Sequence, residues 1–187
     1  MARGGGIRDL LEIVVLVVVA LAAAFLLRTY VAEPFVIPSA SMEETLKVGD
    51  RLVGEKVTYR SSSPQPGDIV TFEDPENPGT ILIKRVIATE GQSVSLEGGK
   101  VVVDGVTLDE PYTEGKESEP LASHSASLSS DIAYPYTVPA GSVWVMGDNR
   151  TNSLDSRYFG AIPVSSITSR AVFVFWPASD FGAIKSE

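Results

Sequence analysis

The pattern of apolar and polar positions divides the chain into two unlike parts. Residues 13–27 (IVVLVVVALAAAFLL) carry no charge; Leu10 and Leu11 extend the run backward past Glu12, and residues 30–32 extend it forward past Arg28. Crossing a bilayer takes roughly 20 helical residues, so the stretch reaches that length with its end charges drawn toward the headgroups. It predicts a transmembrane anchor helix over residues 10–31, after a short segment 1–9. Arg3, Arg8 and the terminal amine precede the run against Asp9 and Glu12, whereas Arg28 and Glu33 balance after it. That bias puts residues 1–9 in the cytoplasm and the rest of the chain outside. A cleavable signal peptide is the rival reading, because a basic start, an apolar middle and Ala22-Ala23-Ala24 also describe one. The run lacks a polar, helix-breaking approach to a cleavage site, which favours a retained anchor; a mature chain starting near Phe25 would overturn it.

Beyond residue 45 the period shortens to that of strands. Residues 50–57 alternate weakly, as a strand with one wet face does. Residues 61–68 (SSSPQPGD) are dense in turn formers and lead into a short strand at 69–72. A second loop, 74–80 (DPENPGT), precedes residues 81–88, the most β-prone run of the chain. Alternation there sets Leu82, Lys84, Val86 and Ala88 on one face, and Ile81, Ile83, Arg85 and Ile87 on the other. Residues 91–100 read as loop and turn, and 101–103 followed by Asp104-Gly105 read as a hairpin with a tight turn. Residues 110–130, acidic and rich in Ser, Ala and Pro, read as an exposed insertion or flexible lobe. Strands follow at 143–146 and 171–176, with a Pro-led turn within 162–169 between them.

Composition narrows the chemistry. The 187 residues suffice for one globular domain plus the N-terminal element, and 44% apolar with 21% charged residues is ordinary for a chain with a core. A formal charge of −9 argues against a nucleic-acid partner. Cysteine is absent, which removes disulfides and thiolate metal sites and says nothing of compartment. His124 is the single histidine, so a His-based zinc site is close to excluded and any Ser-His-Asp triad must use it. Its setting among serines reads as a solvated loop.

Three stretches remain as candidates. Ser39 and Ser41, in residues 35–46 (FVIPSASMEETL), follow directly on the anchor; they are either part of a Ser-rich linker or hydroxyls held near a lipid surface. Of the six lysines, only Lys84 lacks polar, Gly or Pro company on the side preceding it. Burial disfavours a charged amine and lowers its pKa, and a neutral amine can take the proton of a serine hydroxyl. The alternative is an edge-strand lysine that blunts aggregation. Residues 147–160 (GDNRTNSLDSRYFG) place many polar groups between two apolar strands, which implies a network in which every group needs a partner. Arg157 can pair there with Asp155 or with Asp148.

Taken in order, the anchor, residues 37–42 (IPSASM), 67–72 (GDIVTF), 84–86 (KRV) and 147–160 resemble the type I signal peptidases, and the resemblance runs from the anchor to about Trp176. These are membrane-bound Ser-Lys proteases that remove signal peptides from exported proteins. The resemblance implies Ser41 as nucleophile and Lys84 as general base and later acid. It implies Ser39 beside the Ser41 N–H in the oxyanion hole, Ser153 orienting the lysine, and Asp155 with Arg157 as a supporting ion pair. Phe35, Ile37, Pro38, Met42, Leu82 and Ile83 then lie near substrate pockets for small side chains, of the Ala-x-Ala type. No metal or cofactor is implied. The implied partners are preprotein substrates, the lipid bilayer of the cell membrane, and export machinery in proximity. Glu44 stands where the family often has proline, which implies an altered turn and unchanged chemistry.

The expected fold is mainly β. A twisted, partly closed antiparallel sheet spans residues 32–104 and 140–187, carries a small inserted lobe at 105–139, and follows the helix. Two other readings stay open. A self-cleaving repressor-type Ser-Lys protease would need a DNA-binding head where the apolar helix stands. A non-catalytic, membrane-anchored β domain acting as a binding or scaffold module would tolerate alanine at Ser41 and Lys84.

Overall fold

The computed structural model describes residues 5–43 and 45–185; Glu44, where the altered turn is expected, lies outside the described residues. The chain opens with helix α1 (Gly5–Tyr30). Within its Arg8–Tyr30 portion an 18-residue window reaches a mean hydropathy of 3.0, and none of that window is covered by the rest of the protein. At about 1.5 Å per residue this portion is long enough to cross roughly 30 Å of hydrocarbon. A helix that is apolar all round finds its complement in lipid or in a partner, since water offers it none.

No linker separates helix from sheet. Val31 still donates to the Leu27 carbonyl at 2.9 Å, and strand β1 (Ala32–Val36) begins at the next residue. Basic side chains fasten the junction: Lys56 bridges to Glu33 at 2.5 Å, and Arg60 donates to the Tyr30 carbonyl at the exposed end of the helix.

The remaining strands, in chain order, are β2 (Arg51–Glu55), β3 (Ile69–Glu73), β4 (Ile81–Thr89), β5 (Ser93–Glu97), β6 (Lys100–Val103), β7 (Val106–Thr107), β8 (Tyr136–Thr137), β9 (Ser142–Met146), β10 (Ile162–Pro163), β11 (Ile167–Trp176) and β12 (Gly182–Ala183). The main sheet runs β1-β2-β11-β3-β4-β9-β10, with β12 added to β11, and the described pairings are antiparallel. A second sheet runs β7-β6-β5-β8. The expected mainly-β, antiparallel architecture behind one apolar helix is therefore what forms, but the sheet is open, not partly closed. Its two ends explain why: β10 offers two residues, and β1 carries Pro34, which has no N–H to give a further strand.

Two local expectations change. Residues 91–100 are not simply loop and turn, because Ser93–Glu97 forms β5 and turns at Gly98-Gly99 into β6. Only Val94 and Leu96 mark that strand as apolar, so its alternation is easily lost among turn residues. The Asp104-Gly105 hairpin turn forms as expected, with both residues at positive φ (51° and 79°). The second sheet thus begins at Ser93, ahead of the 105–139 stretch, and takes in β7 and β8 near the two ends of that stretch.

Strand β4 touches all three apolar clusters of the core. Ile83 joins Ile37, Met42, Leu46, Leu52 and Ile69; Val86 joins Val70, Phe72, Val143 and Val145; Ile87 and Ala88 join Val94, Val101 and Trp144 under the second sheet. Residues 83–88 are consequently buried on both faces. A register shift opposite β9, between Val86 and Ala88, breaks the simple alternation and carries Ala88 away from the face it was expected to share with Lys84.

Candidate active site

The Ser39–Ser41 stretch is shaped by what lies on either side of it. Ile37 keeps ladder-like bonds after β1 ends, donating to the Asp50 carbonyl and accepting from Gly49, both at 2.9 Å. Ser39 is extended and exposed, and residues Ala40–Met42 then close a single 3-10 turn. Met42 and Leu46 are wholly buried in the cluster below. Ser41 therefore stands at the rim of the core, held from beneath by the residue that follows it. The Ser39 and Ser41 hydroxyl oxygens are 3.5 Å apart, a long contact.

Lys84 approaches from β4, directly opposite the buried Val70 of β3. Its Nζ donates to Ser41 Oγ at 2.7 Å and to the Ile83 carbonyl at 3.0 Å, and the residue is 3% exposed. Burial pushes the amine down to about 8, although the Asp155 and Asp148 carboxylates pull the other way. Roughly a tenth of it is then neutral at pH 7.

The third wall follows β9. A Cβ at Gly147 would fall 2.4 Å from the Ser41 carbonyl oxygen and 2.4 Å from Ser153 Oγ, so only glycine lets this backbone pass so close. Asn149 holds the contact from the other side: its N–H donates to the Ser41 carbonyl at 3.1 Å, and its side chain donates to the Ala40 carbonyl at 3.0 Å. Asp155 caps helix α2 (Ser156–Phe159) and accepts from the Gly147 N–H at 3.0 Å and from Arg157 Nε at 2.9 Å. The partner of Arg157 is thus Asp155, while Asp148 belongs to Arg85, at 2.7 and 2.8 Å.

The family model described as "Signal peptidase, peptidase S26" matches residues 10–176. The chain belongs to this family. It is 44% identical over 182 residues to the probable signal peptidase I-1 of Synechocystis, across 94% of this chain and 87% of that one. It is 36% identical over 222 residues to signal peptidase I of Mycobacterium tuberculosis, across 94% and 75% of the two chains. A solved signal peptidase I from Enterococcus faecalis V583 is 31% identical, with a TM-score of 0.47, over 58% of this chain and 97% of its own. The S26 match ends at the last residue of β11, and β12 lies beyond it.

In this S26 chain the expected site residues do not all converge. Ser39, Ser41 and Lys84 come together, and Asp155 with Arg157 forms a buried pair close behind them. Ser153 is buried against Gly147, but its hydroxyl has no hydrogen-bond partner and is not joined to the lysine amine. Ile37, Met42 and Ile83 share one cluster with Phe35 packed against it, forming a floor under the serine turn. Pro38 is exposed at the rim, and Leu82 belongs to the neighbouring cluster. His124 of the 110–130 stretch pairs with Asp131, just beyond it, at 2.6 Å. Among the described residues, no group of His, Cys, Asp or Glu is placed to hold a metal ion.

Sequence reasoning missed the Arg85–Asp148 pair, the Asn149 contacts, and an ion pair between Arg150 and Glu110. A charged residue inside an apolar strand was the available signal at Arg85. Its partner, 63 positions away, carried none.

Proposed function

We propose that this S26-family chain is a membrane-anchored serine endopeptidase that removes signal peptides from exported preproteins with a Ser41–Lys84 dyad. The observation that carries the reading is the 2.7 Å contact between Lys84 Nζ and Ser41 Oγ at a site where burial lowers the lysine to about 8.

When the amine is neutral, the same contact runs in reverse and the hydroxyl donates to nitrogen. As Ser41 Oγ bonds to the scissile carbonyl carbon, its proton passes to Lys84 and the carbonyl π pair moves onto oxygen. The Ser41 N–H and the nearby Ser39 hydroxyl are the donors for that oxyanion. Collapse of the intermediate breaks the C–N bond, and the Lys84 ammonium gives its proton to the departing amine. Lys84 then takes a proton from the water that attacks the acyl-enzyme, and that proton returns to Ser41 when the ester breaks. Asp155 and Arg157 neutralise one another behind the lysine, so the pair adds polar support without a net charge. The apolar floor of Ile37, Met42 and Ile83 is already filled by its own neighbours, which favours small side chains before the cut.

The anchor supplies location. With the sheet starting one residue after Val31, the site stays on the side of the bilayer where the helix emerges. The basic bias before the helix makes that the outer side, where preproteins leave the export machinery. The test is preprotein processing by the full chain in lipid vesicles. Ser41→Ala and Lys84→Ala should each abolish it while the fold persists; near wild-type cleavage by either variant refutes the dyad.

A further inference from the structure

Residues 110–119 contain no strand, yet they are latched to the wall behind the dyad. The Glu110 carboxylate accepts from both terminal nitrogens of Arg150, at 2.6 and 3.0 Å. The Arg150 side chain is 0% exposed and that of Glu110 8%. Ser118 Oγ accepts a further bond from the same guanidinium at 2.6 Å, while Arg150 Nε donates to the Gly147 carbonyl at 2.9 Å. A fully buried guanidinium keeps its place only with a carboxylate to balance it. Tyr112 ties the same carboxylate to a second arginine. Its hydroxyl donates to Glu110 at 2.9 Å, and its ring centroid lies 3.9 Å from the guanidinium carbon of Arg85, the partner of Asp148. Gly147 and Asn149, held between these two arginines, are the residues pressed against the Ser41 carbonyl.

We propose that Glu110 is a positioning residue for the hydrolysis: through Arg150 and Tyr112 it holds the backbone of residues 147–149 against the serine turn, and so keeps Ser41 in register with Lys84. This rests on the dyad reading, and it assigns to the expected flexible lobe a part in the reaction. Glu110 touches neither reacting group. Its loss acts on geometry, and displacements of about 1 Å in a catalytic array cost on the order of 100-fold in rate.

The test measures kcat and KM on a peptide with an Ala-x-Ala cut site, using the full chain in detergent micelles. Rates are divided by the folded fraction, read from the fluorescence of the wholly buried Trp144. Glu110→Gln should lower kcat per folded molecule by about 10- to 100-fold with KM little changed. Tyr112→Phe, which keeps the ring on Arg85 and loses only the hydroxyl, should show a smaller loss of the same kind and decides the matter if Glu110→Gln does not fold. Glu110→Gln with Arg150→Met should lose no more than the worse single variant, because both act through one contact. Unchanged kcat per folded molecule in Glu110→Gln, or in Tyr112→Phe where Glu110→Gln does not fold, would overturn the proposal, as would losses that multiply in the double variant. Ser41→Ala serves as the control: if it still cuts, the dyad reading fails; if it is dead while Glu110→Gln runs at full rate, only the positioning role fails.

Discussion

Replacing Lys84 by methionine removes the amine and keeps an unbranched stem in the same slot, so it sets the cost of burying the base against its use. In the folded protein the amine is lowered from 10.5 to about 8, chiefly by burial. At about 1.4 kcal/mol per pH unit, holding the charged form there costs roughly 3 kcal/mol. The unfolded chain binds the proton more tightly, so between pH 8 and 10.5 it carries more protons than the folded one, and stability rises with pH across that window. Below pH 8 the whole penalty is present. Methionine has no such penalty but leaves the Ser41 hydroxyl and the Ile83 carbonyl without their donor, at about 1 kcal/mol each. Lys84→Met should therefore be inactive, and more stable than the parent by about 1 kcal/mol near pH 6. That advantage should fall by roughly 3 kcal/mol as pH rises through the window and end as a deficit. Urea unfolding of both proteins in micelles from pH 6 to 11, followed through Trp144, provides the difference curve, in which titrations common to both cancel. A difference that does not vary with pH would mean that the amine is solvated in the folded protein, and the argument for a neutral base would fail with it.

Two further outcomes follow from the same geometry. The pH profile of kcat/KM should rise with the neutral fraction of Lys84, with a midpoint at about 8 and a plateau above it; a profile already flat from pH 6 would assign the base elsewhere. Asp148→Leu takes from the wholly buried Arg85 guanidinium the carboxylate that meets it at 2.7 and 2.8 Å, which should cost up to about 3–5 kcal/mol, whereas Arg85→Met with Asp148→Leu should recover most of that; urea midpoints for both variants check the two numbers, and a single-variant cost below about 1 kcal/mol would mean that this contact is worth no more than a surface pair.

Much of the architecture could be read from local pattern. The uncharged run became α1, the most β-prone run became β4, and Asp104-Gly105 made its turn, because helix length, alternation and turn chemistry act over a few neighbouring residues. β5 escaped because two apolar residues make too weak an alternation, and the open edge of the sheet escaped because closure depends on strands far apart in the chain. The acidic stretch at 110–130 looked solvated for a similar reason: Glu110 looks like any surface carboxylate until the chain brings Arg150 to it.

The site divides along the same line. The sequence by itself determined which groups are available: two serines beside the anchor, a lysine in an apolar strand, no cysteine and one histidine within a serine-rich stretch. Only the tertiary structure decided which of them meet. It set Lys84 at 2.7 Å from Ser41, gave Arg157 to Asp155 and Asp148 to Arg85, and left the buried Ser153 hydroxyl without a hydrogen-bond partner. Composition and spacing report chemistry that each residue carries with it, whereas a lowered lysine pKa or a buried ion pair exists only between groups that folding has taken out of water together.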